Sequence, residues 1–188
     1  MKVSIIGTGY VGLVSGACLA KLGHQILCVD IDKAKIDQIN RGISPIYEAG
    51  LDDLLARHIG NRLEATTDLR NAVLDTELTM IAVGTPFDGK KIDLSQVQAA
   101  STAIGQAIRE KRPYHMIVVK STVVPGTTDE IVTPAVANAS GKTPGIDFGV
   151  GMNPEFLREG SAVADFMHPD RIVLGAMDEK GMAMLEKL

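Results

Sequence analysis

The residues of this 188-residue chain whose types and spacing suit chemistry fall in three places: a run of glycines near the start, threonines after two apolar runs, and the charged segment Glu155 to Glu159. Gly7-Thr8-Gly9-Tyr10-Val11-Gly12 stands where an apolar run ends and a helical pattern begins. In that position Gly7 suits a tight turn, Gly9 lets backbone approach a pyrophosphate, and Gly12 lets the following helix pack closely on a sheet. The free N–H groups and dipole of that helix's first turn favour an anion. The next apolar run ends in Asp30, at roughly the 20-residue separation where an acid accepts hydrogen bonds from an adenosine ribose. A carboxylate there repels a 2′-phosphate, so NAD is expected over NADP; Lys33 and Lys35 weaken that preference, because one of them can reach a phosphate.

On the residues alone, blander readings stand beside these. The glycines also suit a plain tight turn with an acidic surface residue nearby. Thr85 and Thr122 also suit strand-end caps whose hydroxyls satisfy backbone groups. Glu155 and Glu159 are spaced as i,i+4 acids on a solvated turn, and Arg158 as the partner of a surface acid. His24, His58, His115 and His168 have no companion at metal-ligand spacing. Cys18 and Cys28 lack a C-x-x-C setting and are expected as two buried thiols.

The elements that must position these residues alternate. Short β-rich runs at 2–6, 25–30, 78–84, 115–122, 147–153 and 171–175 are mostly apolar throughout, as strands covered on both faces are. Helical patterns lie at about 11–22, 33–41, 50–58, 94–110, 127–138 and 178–188. The alternation predicts βαβ units and a doubly wound, mostly parallel α/β sheet with helices on both faces. Three connections, 42–50, 84–93 and 153–169, are too elaborate for simple turns. The second and third follow strands directly, at the carboxyl ends where open parallel sheets bind ligands. The stretch 138–147 reads as a surface loop.

With 45% hydrophobic and 22% charged residues, the chain has material for one substantial core. Its net charge of −4 gives no electrostatic basis for binding nucleic acid or an anionic membrane. No apolar run approaches the ~20 residues of a membrane helix and no secretory signal opens the chain, so a cytoplasmic location is expected.

Together with 84–86 (GTP), 120–127 (KSTVVPGT), 153–160 (NPEFLREG) and 169–175 (PDRIVLG), the glycine pattern resembles the UDP-glucose/GDP-mannose dehydrogenase family. The resemblance runs from Met1 to about Gly175. It implies a Rossmann-like NAD-binding domain from an enzyme that oxidises a nucleotide sugar's C6 alcohol to a carboxylate with two NAD molecules in succession. By position it implies that Tyr10 and Val11 sit against the pyrophosphate, within the cofactor-binding turn of Gly7, Gly9 and Gly12, and that Asp30 holds the adenosine ribose, with Lys35 nearby. Thr85 and Thr122 would line the dinucleotide site, Thr122 close to the reacting carbon. Glu155 would work on an active-site water, and Phe156, Leu157, Arg158 and Glu159 would pass beside the sugar. In such enzymes the chemistry runs through a cysteine in a GGxCxPKD motif, and that motif does not occur here. The expectation is therefore that residues 1–188 form the cofactor-binding portion, inactive alone, of a protein whose central helix and substrate domain lie elsewhere and which dimerises through that helix. UDP-glucose is the first substrate expected; GDP-mannose, a UDP-N-acetyl sugar, a single-step hydroxyacid-type oxidation and a non-catalytic NAD-binding module are the alternatives.

Overall fold

The computed structural model describes all residues from Met1 to Leu188. Its strands are β1 (Lys2–Ile6), β2 (Gln25–Val29), β3 (Leu63–Thr66), β4 (Leu78–Ile81), β5 (His115–Val119), β6 (Phe148–Met152) and β7 (Gly175–Ala176). The helices are α1 (Tyr10–Lys21), α2 (Lys33–Ile39), α3 (Leu51–His58), α4 (Leu69–Leu74), α5 (Ser95–Ile108), α6 (Thr133–Ser140), α7 (Ala162–Met167) and α8 (Glu179–Leu185), and a π-helical turn, Thr128–Val132, leads into α6. One sheet joins the strands in the order β3-β2-β1-β4-β5-β6-β7. The first six are mutually parallel and β7 alone runs antiparallel, beside β6.

The strand order reverses between β1 and β4. Their carboxyl ends therefore flank a crevice of the kind that binds ligands in doubly wound sheets. Two apolar layers cover the sheet. One gathers Val3, Ile5, Leu13, Val14, Ala17, Leu55 and Met80 around α1. The other gathers Ile81, Val97, Ile104, Ile117, Val136 and Phe148 around α5 and α6. Residues Gly12 to Ala20 of α1 are all buried, so this helix is covered on every face. A chain of hydroxyls crosses the second layer: Ser4 Oγ lies 2.7 Å from Thr79 Oγ1, which lies 2.7 Å from His115 Nε2. Burial pushes that histidine down to about 3, so it is neutral at physiological pH.

Four parts of the chain differ from expectation. Strand β3 and helix α4 had no counterpart among the expected elements. β3 is a four-residue strand with an alternating rather than continuous burial pattern, and α4 is six residues capped by Asp68, whose carboxylate accepts the Asn71 N–H. Residues 171–174, expected as strand, are irregular; only Gly175 and Ala176 pair, because Arg171, Ile172 and Val173 stand exposed. The connection 153–169 contains α7 rather than loop alone. At that edge the Met177 N–H donates to the Val150 carbonyl at 3.1 Å, and the Val150 N–H reaches Met177 Sδ at 3.2 Å.

Candidate functional site

The chain turns at Gly7, whose φ of +100° is open to glycine and strained for other residues. A Cβ on Gly12 would lie 2.0 Å from the Gly7 carbonyl oxygen, so the turn closes on itself only with glycine there. Gly9 faces the opposite way: a Cβ on it would meet no protein atom within 4 Å. Gly9 is the N-cap of α1, and no side chain caps that helix end. The first N–H to turn back into the chain is that of Leu13, to the Gly9 carbonyl at 3.0 Å. The preceding N–H groups thus point into the space that Gly9 keeps clear, which is the cradle a pyrophosphate fits.

Asp30, at the end of β2, is tied to this turn. Its Oδ2 accepts the Thr8 N–H at 2.8 Å and the Thr8 hydroxyl at 2.7 Å, and its Oδ1 accepts the Asp32 N–H at 3.0 Å. Partial burial opposes its ionisation, but those hydrogen bonds and the Lys35 charge hold the carboxyl below its ordinary range. It is therefore an anion at neutral pH. A carboxylate offers about four lone-pair sites, and the chain uses three, leaving room on Oδ1 for a sugar hydroxyl. Lys33 is engaged elsewhere, in an exposed pair with Asp37 at 2.7 Å.

Across the crevice, the Thr85 hydroxyl donates to the Thr122 carbonyl at 2.7 Å, joining the loops that follow β4 and β5. Thr122 itself is exposed. After β6 the chain passes through Asn153 and Pro154 to Glu155, whose carboxylate accepts the Leu157 N–H at 2.6 Å. Lys120, Asn153, Glu155, Phe156, Arg158 and Arg171 are among the residues lining a cavity of about 620 Å³. The Arg171 guanidinium stands 5.1 Å from the Phe156 ring, while Leu157 packs inward on the α1 layer. Arg158 is exposed and paired to Asp165 at 2.6 Å, and Glu159 is exposed. No hydrogen bond joins Glu155 to Thr122; the structure brings Glu155 together with the next three residues of its segment and brings Thr122 together with Thr85.

Two polar residues of this region escaped the sequence reading. Lys120 is 4% exposed, and its ammonium donates to Asn153 Oδ1 at 2.9 Å. Burial pushes it down to about 8, against the pull of the Glu155 charge. Asn153 in turn donates from Nδ2 to the Val173 carbonyl at 3.0 Å. The signal was present: a lysine closing an otherwise apolar strand run has to find a buried acceptor. The other is Glu48, in the elaborate 42–50 connection, which is 5% exposed and bonded to the segment after β6. Cys18 and Cys28 are fully buried, and burial pushes both thiols up to about 12. The histidines, cysteines and acids form no group of three or more able to hold a metal ion, and no helix is long and apolar enough to cross a membrane.

A doubly wound sheet with a glycine turn at its first βα junction, an open helix N-terminus and an acid at the end of the second strand defines a dinucleotide-binding domain. The chain belongs to the UDP-glucose/GDP-mannose dehydrogenase family, whose NAD-binding-domain model matches residues 1–188. It is 46% identical over 189 residues to UDP-glucose 6-dehydrogenase AglM of Haloferax volcanii, covering 100% of this chain and 44% of that protein. It is 47% identical over 193 residues to GDP-mannose 6-dehydrogenase of Pseudomonas aeruginosa, again covering 100% of this chain and 44% of the relative. A crystal structure of a ternary complex of GDP-mannose dehydrogenase from Pseudomonas aeruginosa superposes with a TM-score of 0.97 at 46% identity, over all of this chain and 43% of that one. A UDP-glucose dehydrogenase from the archaeon Pyrobaculum islandicum gives a TM-score of 0.91 at 44% identity, over 97% of this chain and 42% of that one. The chain thus spans less than half the length of these relatives.

Proposed function

We propose that this domain serves a nucleotide-sugar 6-dehydrogenase that oxidises UDP-glucose. In the overall conversion a primary alcohol, one water and two NAD⁺ give a carboxylate, two NADH and three protons, so the cofactor supplies a two-electron acceptor twice. The chain's own residues bind and aim. The α1 N–H groups hold the pyrophosphate, Asp30 holds the adenosine ribose, and the fully exposed Ile31 beside it offers an apolar face to adenine. Thr85 and Thr122 line the nicotinamide side, and Glu155 orients and deprotonates the water that hydrolyses the thioester left by the second oxidation.

The observation that carries this reading is the position of Glu155, Phe156, Leu157 and Arg158 along one cavity at the carboxyl end of β6. That is the sheet edge on which the glycine turn of parallel β1 also opens. The 47% identity to a GDP-mannose 6-dehydrogenase favours GDP-mannose as the second reading.

The 188-residue chain is expected to bind NAD in calorimetry and to oxidise neither sugar. A protein that carries the rest of the family's length should form two NADH per sugar; one would mark a single-step dehydrogenase, and none a binding module. In that protein Glu155→Gln should still form two NADH per site in the first turnover and then accumulate the sugar as a thioester on the family's cysteine. Hydrolysis should slow by ~10²–10⁴-fold, the usual worth of general-base help. Steady turnover with no covalent species in the mass spectrum would remove Glu155 from the role.

A further inference from the structure

Glu48 is a nearly buried carboxylate whose partners come from two remote parts of the chain. The Tyr10 hydroxyl donates to Oε2, the Gly160 N–H donates to Oε2 at 2.8 Å, and the Val163 N–H approaches Oε1 at 3.4 Å. The Gly160 N–H also lies 2.9 Å from the Tyr10 hydroxyl oxygen, which closes the triangle. Burial opposes ionisation of Glu48, yet these donors and the Ala162 N–H hold its carboxyl low, so it is charged. The Tyr10 phenol is pushed up to about 12 by burial and by Glu48, and remains a donor at physiological pH.

Two local facts give the triangle its meaning. Helix α7 begins immediately after Gly160, and its N-cap residue, Ser161, makes no capping hydrogen bond with its side chain. The Val163 N–H of the first turn and the Gly160 N–H just before the N-cap are met instead by a carboxylate from the 42–50 connection, more than a hundred residues away. Tyr10, meanwhile, is the first residue of α1. Its backbone belongs to the turn that faces the pyrophosphate, while its side chain reaches the far end of the segment that lines the cavity.

We infer that Glu48 is a positioning residue: through Tyr10 it couples dinucleotide binding at the Gly9-Tyr10-Val11 turn to closure of the backbone at Gly160–Val163. Cofactor seat and cavity segment then tighten together. The functional meaning of this coupling rests on reading 155–159 as the sugar-contacting segment; the coupling itself does not. By linkage, the factor by which NAD favours the closed segment equals the factor by which the closed segment favours NAD.

The test is backbone amide exchange on the 188-residue chain, with and without saturating NAD, alongside calorimetry. In the wild type NAD should slow exchange at Gly160, Ala162 and Val163 by about fivefold or more, the lower end of ordinary coupling between sites. In Glu48→Ala these amides should exchange faster, NAD should no longer slow them, and the Kd for NAD should rise by the factor of protection lost. Glu48→Gln, which keeps the shape and one acceptor oxygen, should recover part of both effects, and it decides the matter if the alanine variant does not fold. A purely structural role would leave the Kd unchanged and raise exchange equally with and without NAD; that result overturns the inference, as does a wild type whose Gly160–Val163 amides ignore NAD. Adding UDP-glucose or GDP-mannose to the NAD complex separates the two readings. No further protection from either sugar counts against 155–159 as a sugar contact while leaving the coupling intact.

Discussion

The glycine turn and the segment after β6 both sit at the carboxyl edge of the sheet, but they are built on different length scales. Gly7, Gly12 and Thr8 meet one another within a few residues, and the turn's longer tie, Thr8 to Asp30, spans a single βαβ step. The segment after β6 depends on distant anchors: Lys120 reaches Asn153 across 33 residues, and Glu48 reaches Gly160 across 112. A turn made by backbone sterics and local hydrogen bonds is nearly self-determined. A segment held by buried charges from elsewhere is only as firm as those anchors, which leaves it open to being tuned by what binds nearby.

The largest effect is expected where the turn is least forgiving. Gly12→Ala places a methyl 2.0 Å from the Gly7 carbonyl oxygen, so it should abolish NAD binding in calorimetry and cost about 1–3 kcal/mol of stability, as overpacking does. Gly9→Ala meets no protein atom and should melt like the wild type while losing NAD affinity, because its methyl enters the phosphate cradle. A Gly9 variant with full NAD affinity would show that the pyrophosphate lies elsewhere. Next comes Asp30→Ala, which should weaken NAD by about 1.5–3 kcal/mol, the worth of hydrogen bonds to a charged group. Its preference over NADP should shrink as well, and an unchanged NAD/NADP affinity ratio would exclude Asp30 as the ribose ligand.

The smallest effect probes the other region. The folded Lys120 titrates at about 8 and the unfolded lysine near 10.5, so between those values the unfolded chain binds more protons. Lys120 therefore destabilises the fold below about pH 8, and that penalty is relieved as pH rises towards 10.5. Lys120→Met keeps the apolar stem and removes the charge. Subtracting its pH–stability curve from that of the wild type, by denaturant unfolding, should leave a difference that rises with pH across this window. A flat difference would mean that the ammonium is solvated rather than held against Asn153.

This contrast also explains what the sequence made legible. Spacing was enough to place the turn of Gly7, Gly9 and Gly12 and to bring Asp30 beside it, because the turn's shape follows from which positions lack a Cβ and where the next strand ends. Continuous apolar runs identified β1, β2, β4, β5 and β6, since each is covered on both faces. The four-residue β3 and six-residue α4 offered too short a pattern to register, and the exposed Ile172 and Val173 imitated a strand without forming one. Glu48 looks like an ordinary surface charge in sequence, and Lys120 shows only that it closes an apolar run. Their importance lies in partners that only the folded chain brings within reach.

The join between β6 and β7 has a consequence of a different kind. An uncovered strand at the rim of a sheet offers a row of free donors and acceptors, which is how soluble proteins recruit one another into growing β assemblies. Here the last parallel strand meets a neighbour of only two residues, running against it, and the next donor, the Val150 N–H, is met by the thioether of Met177 rather than by a carbonyl. A passing chain finds little of that rim left to pair with. A reversed two-residue strand and a single sulfur atom thus serve as a guard against aggregation.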